Sequence, residues 1–313
     1  MASRASSASL LTSCAILVSA ALWGSVWIPL RQIAEAGVSG VWASLLVYGA
    51  PLIVMLPLVA LGRGRLGHFG LAALWVGATA GICNTFYAIG VVYGAVGKVV
   101  LLFYLNPIWS AILEWLVLKA PISRLRLATI VLGLIGMAVL VGNEGGVPLP
   151  HGLAEWFGVL ASVFWAFSLI GMASSGSAGV IPKTFFQFLF GLLTSGAIVL
   201  LQWFPGQLVP PPASLMAASP WALGAVLLWI IPGMALSFWA VGRMSPTRAA
   251  ILFMFEAVVG VSSAAILTDE PFGWREVIGG LMILGAGLLD VVGGAMKRPA
   301  PADKARKQFE GAR

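Results

Sequence analysis

Ten apolar stretches of about 20 residues each leave this chain few ways to fold. The bilayer core offers no water to backbone N–H and C=O groups, so only helices or closed barrels span it. A helix needs roughly 20 apolar residues to cross, and the stretches run over 10–31, 40–61, 70–92, 98–118, 124–142, 153–173, 183–203, 221–241, 248–267 and 274–295. Barrel strands are half as long and alternate apolar with polar, which these do not. Only 9% of the 313 residues are charged, against roughly 25% in a soluble domain. The fold class read from the chain is an all-α polytopic membrane protein with ten transmembrane helices. The first run, behind MASRASSAS, has the look of a signal peptide with a cut after Ala20 or Ala21. It continues through LWGSVWIPL, so it is read as a span.

The second constraint is a duplication. KVVLLFYLNPIWSAILEWLVLKAP, from Lys98 to Pro121, returns as RAAILFMFEAVVGVSSAAILTDEP, from Arg248 to Pro271. A shift of 150 residues pairs Lys98 with Arg248, Phe103 with Phe253, Asn106 with Glu256 and Pro121 with Pro271. Shifts of 142 and 152 carry Trp23 to Trp165 and the run Thr85–Gly90 to Ser237–Gly242. One repeat near half the chain length indicates a duplicated domain rather than a solenoid. Five helices per half, an odd number, force the second half to enter from the opposite side, so the repeats are inverted. The organisation expected is a first repeat over 1–142, a linker over 143–152, a second repeat over 153–295 and a basic tail over 296–313.

Charge sets the orientation. With the N-terminus in the cytoplasm, fifteen Lys and Arg residues fall inside and three (Arg31, Lys98 and Arg275) outside, a positive-inside bias. Both termini are expected in the cytoplasm, and the tail is read as disordered, touching anionic headgroups. The net charge of +7 is dispersed over loops, which argues against a nucleic-acid partner. FPGQLVPPPASLMAASP, from Phe204, reads as an uncharged, proline-stiffened outer loop.

Metal and nucleophilic chemistry have little to work with. His68 and His151 lie in loops, and Cys14 and Cys83 lie inside apolar spans as packing residues. HExxH, Cys-x-x-Cys, GxSxG and phosphate-loop patterns are missing. No cofactor is expected.

Inverted repeats are a signature of secondary transporters, whose substrate binds near the midplane between the halves. Asn106 and Glu256 each lie about nine residues into their helices, near mid-membrane at 1.5 Å per residue. A carboxylate there costs at least about 2.5 kcal/mol and should face a cavity or a partner. Glu256 is therefore the leading candidate, for a substrate ammonium or a coupling proton. A hydrogen bond to freed backbone is the structural alternative. Asn106 precedes Pro107, which frees a carbonyl one turn earlier. Asn84, Trp23, Trp165, Tyr87, Trp239, Phe103, Tyr104 and Phe253 complete the candidate set, the aromatics as a wall for stacking or cation–π contact. Glu114, with Lys119 nearby, reads as an interfacial ion pair, and Asp290 as structural. Lys98 and Arg248 open their helices as gating or headgroup-anchoring residues.

The chain resembles the EamA-type transporters of the drug/metabolite transporter superfamily. The resemblance rests on Leu22-Trp23-Gly24 and Phe164-Trp165-Ala166, on Phe86-Tyr87-Ala88 and Phe238-Trp239-Ala240, on Tyr104-Leu105-Asn106-Pro107, on Phe255-Glu256 and on Asp269-Glu270-Pro271. It departs at Lys119-Ala120, where the family usually has an acidic residue, and at Ala257, where proline is frequent. The resemblance implies a multi-pass carrier of the bacterial inner membrane that exports amino acids or metabolites, with a cavity lined by helices 1, 3, 4, 6, 8 and 9. Aromatic amino-acid exporters of the YddG kind share the Tyr-Leu-x-Pro run.

The expectation is an exporter of aromatic and other large neutral amino acids by alternating access, with membrane lipid and a small-molecule substrate as partners, working as a monomer or weak homodimer. Carriers of nucleotide sugars, phosphorylated sugars or organic cations are the alternatives. A membrane-embedded enzyme would need clustered His, Asp, Cys or Ser groups on facing helices.

Overall fold

Each of the ten apolar stretches is a helix in the computed structural model, which describes residues 2–62, 70–142, 149–174, 179–204, 208–268 and 272–296. Spans 1 to 5 are Leu10–Glu35, Gly40–Pro57, Leu71–Tyr93, Val96–Leu118 and Arg124–Val141. Spans 6 to 10 are Leu153–Ser174, Val180–Leu200, Pro212–Val241, Pro246–Leu267 and Trp274–Gly293. The described residues include no strand. His68, the segment 143–148, Asp269–Pro271 and the tail from 297 lie outside the described residues.

Proline marks the interruptions. Span 1 pauses at Val26, one turn before Pro29, and span 8 widens into a π turn over Ala225–Ile230 ahead of Pro232. In each case the ring removes an N–H from the helical ladder. Span 4 breaks into Val96–Phe103 and Asn106–Leu118, with Pro107 in the first turn of the second piece. Span 9 breaks at the equivalent place, into Pro246–Phe253 and Phe255–Leu267, with Ala257 where a proline would stand. There the Met254 and Ala257 N–H groups turn tighter, onto carbonyls three residues back, and the Tyr104 hydroxyl meets the Ala257 backbone.

One expectation is overturned here. Residues from Pro212 onward, read as part of a stiff outer loop, are the first three turns of span 8. Pro212 sits in the first turn, where a missing N–H costs nothing. ASLMAASPWA then continues as helix, packing Ala218 and Ala222 into the core.

The halves interlock. Span 1 packs along spans 8 and 9, span 6 against both pieces of span 4, span 3 along spans 6 and 7, and span 5 along span 10. Small residues permit the closest approaches, as in other membrane helix pairs. A Cβ at Gly136 would stand 3.0 Å from the Gly279 carbonyl oxygen and 3.1 Å from the Ile283 nitrogen. A Cβ at Gly24 would stand 3.0 Å from the Gly260 nitrogen and collide with the Glu256 carbonyl. The alternation of spans defines two faces. The N-terminal face carries the starts of spans 1, 5, 7 and 9, and the opposite face those of spans 4 and 6.

Candidate functional site

The central site grows from the breaks in spans 4 and 9. A buried cluster gathers Cys83, Phe103, Tyr104, Trp165 and Phe253, with Trp23, Tyr87 and Trp239 packed against it. Trp165 meets Phe253 edge-on at 5.4 Å, and Tyr87 lies 4.5 Å from Phe103. Trp23 crosses span 8 at Gly233, its indole nitrogen 3.2 Å from where a Cβ would stand. Both halves therefore contribute to one aromatic cluster.

Glu256 opens the second piece of span 9, half-buried where the chain around it is apolar. The Tyr87 and Tyr104 hydroxyls and the Cys83 thiol lie in Coulombic range of its carboxylate. Among the described residues no base pairs with it and no side chain donates to it. Trp23 Nε1, packed against the cluster, is buried without a partner, as are Asn84 Nδ2 on span 3 and Trp109 Nε1 on span 4. Asn106 differs from its repeat mate. It is 1% exposed, its Nδ2 donates to the Phe103 carbonyl at 3.1 Å, and its Oδ1 is unpaired. It closes the break in span 4 by capping the carbonyl that Pro107 frees.

Lys98 and Arg248 do not point out to headgroups. Lys98 Nζ reaches Glu155 Oε1 at 3.2 Å on the opposite face, and Glu155 Oε2 also accepts from the His151 N–H at 2.6 Å. Arg248 Nη2 donates to Ser13 Oγ at 2.8 Å on the N-terminal face, with Asp290 3.9 Å from its Nε. The shift of 142 that carries Trp23 to Trp165 carries Ser13 to Glu155, and the shift of 150 carries Lys98 to Arg248. The two contacts are thus one contact made twice, each between the start of a broken span and the start of a span from the other half. Neither Ser13 nor Glu155 stood out in the sequence, although the repeat shift relates them.

Glu114 is a second correction. It does not pair with Lys119 but is 6% exposed and receives Arg126 Nη1 at 3.0 Å, the Thr247 N–H at 3.1 Å and Thr247 Oγ1 at 2.5 Å. Lys119 is carried away by a left-handed turn at φ 54 that ends the helix. Arg126 also donates to Ser245 Oγ at 2.8 Å and stands 3.9 Å from Asp290. Spans 4, 5, 9 and 10 are joined by this network at the N-terminal face. Cys14 is exposed on the outer surface, whereas Cys83 is buried. Among the described residues no three His, Cys, Asp or Glu side chains group as metal ligands.

Ten spans in two inverted halves, interlocked around a mid-span carboxylate and an aromatic cluster, define a multi-pass membrane protein with the build of a carrier. The EamA-like transporter family matches residues 10–142 and again 152–290. The chain belongs to that family, and is a membrane transporter of the drug/metabolite type. A comparison with curated proteins returned no match. Among solved structures 29 chains match. One of them, described as "Crystal structure of protein", superposes with a TM-score of 0.65 at 18% identity over 91% of this chain and 98% of its own, which speaks for the fold alone.

Proposed function

We propose that this transporter exports aromatic and other large neutral amino acids across a bacterial inner membrane, with both termini in the cytoplasm. The observation that carries the reading is Glu256: a half-buried carboxylate in mid-span, unpaired among the described residues, beside an aromatic cluster drawn from both halves. An ammonium group would offset the cost of that charge. The rings would hold an apolar or aromatic side chain by offset stacking. The unpartnered indole N–H of Trp23, which packs against the cluster, supplies a donor of the kind a carboxylate group needs to leave water.

The duplicated contact supports alternating access. Opening one face parts Lys98 from Glu155, and opening the other parts Arg248 from Ser13. The breaks in spans 4 and 9 let the outer piece of each span move without dragging the inner one. Phosphorylated and nucleotide sugars fit poorly beside Glu256 itself, where no base among the described residues pairs with the carboxylate. The same carboxylate and rings favour an organic cation as the second reading, through charge and cation–π attraction.

Purified protein in proteoliposomes, loaded in turn with amino acids, organic cations and a nucleotide sugar, tests the assignment. Efflux of phenylalanine or leucine is expected. Efflux confined to cations would hand the site to the second reading.

A further inference from the structure

Lys183 is a charge in an unfavourable place. It lies in the first turn of span 7 and is 3% exposed. The amide dipoles at a helix N-terminus oppose a cation there. The Arg243 guanidinium, at the end of span 8, lies in Coulombic range of its ammonium and adds a second positive charge. No carboxylate among the described residues pairs with either base. One helical turn on, on the same face, Gln187 is 0% exposed with both amide atoms unpartnered. Buried charges are ordinarily paired, since an unpaired one gives up its hydration for nothing.

Arg243 is held in position. Its Nη1 donates to the Trp239 carbonyl at 2.5 Å and its guanidinium sits 4.6 Å over the Trp239 ring. That single bond leaves the rest of its planar fork of donors free for an oxyanion. Arg243 is itself exposed, so an anion arriving from water meets it first and Lys183 behind it. Trp239, Met244 and Val180 all pack against the central cluster, so the two bases stand at its N-terminal end.

We propose that Lys183 and Arg243 form an oxyanion site at the N-terminal end of the cluster, and that it takes the carboxylate of the substrate before the substrate passes to Glu256. The identity of that carboxylate rests on the amino-acid reading above, whereas the oxyanion site itself does not.

Thermal unfolding in nanodiscs of phosphatidylcholine, with phenylalanine, phenethylamine (its analogue without a carboxylate) and inorganic phosphate as probes, tests this. Phenylalanine and phosphate are expected to raise the unfolding temperature of the wild type. Lys183→Met should weaken binding of both by about tenfold, the scale of one charged hydrogen bond, and Lys183→Arg should restore it. Any shift given by phenethylamine should be the same with and without Lys183. Without ligand, Lys183→Met should unfold at an equal or higher temperature, because it removes an uncompensated charge. A lower one would mean that the lysine has a structural partner and would overturn the proposal. Stabilisation by phosphate but not by phenylalanine would keep the oxyanion site and reject the amino-acid reading. Equal shifts in wild type and Lys183→Met, or none in the wild type, would overturn the site. A Lys183-dependent shift produced by phosphatidylglycerol alone would overturn the substrate assignment in favour of a headgroup phosphate.

Discussion

Ser13 and Glu155 occupy equivalent positions in the two halves, and each holds the base that opens a broken span of the other half. The contact on the opposite face is an ion pair, while that on the N-terminal face is a hydrogen bond backed by Asp290 at 3.9 Å. The duplication kept the position and changed the chemistry, so the two faces close with different strengths.

Ser13→Asp should strengthen closure of the N-terminal face, and Glu155→Ser should weaken closure of the opposite face. Both shift the protein in the same direction, toward opening at the opposite face. Partly exposed pairs contribute about 0.5–1 kcal/mol, or two- to fivefold in population. Val99→Cys, at a residue fully buried between spans 4 and 6 near the opposite face, should react faster with a membrane-impermeant thiol reagent in both variants. Changes of opposite sign would refute the equivalence of the two contacts.

Arg126 neutralises a buried Glu114 and bonds Ser245. Arg126→Met leaves that carboxylate without its cation and should cost roughly 3–5 kcal/mol. Lys119→Met, at the base nearest Glu114 in the sequence, should change stability by less than about 0.5 kcal/mol. Thermal unfolding in detergent, with the two variants side by side, distinguishes them.

Two glycines should respond to alanine with opposite signs. Gly24 sits against the span 9 backbone, where an added methyl overpacks the contact and should cost roughly 1–3 kcal/mol. Gly196 has nothing within 4 Å of its would-be Cβ, so Gly196→Ala should stabilise the helix by up to about 1 kcal/mol. The same unfolding assay reads both.

The spans were legible because crossing a bilayer demands long apolar helices, and the pattern survives without any tertiary information. The break in span 4 was legible for a similar reason, since Pro107 announces it locally. Its twin in span 9 was not, because Ala257 has no such signature and the break is held by Tyr104 from another span. The partner of Glu114 was missed on the same ground. Lys119 is near in sequence, but a left-handed turn removes it, and Arg126 arrives from the next span. The start of span 8 was hidden by five prolines that read as loop, although one of them serves as a helix start. The aromatic residues were identifiable from the repeat shifts, whereas the lack of a carboxylate partner for Lys183 among the described residues depends on which helices surround it.

The central claim is that Glu256 receives the ammonium group of an amino acid within the aromatic cluster. Efflux of radiolabelled phenylalanine from proteoliposomes, wild type against Glu256→Gln, tests it most directly. The account predicts efflux by the wild type and a loss of about tenfold or more in the variant, the scale of a hydrogen bond to a charged group, with its unfolding temperature unchanged or raised. Efflux by Glu256→Gln at the wild-type rate would contradict it.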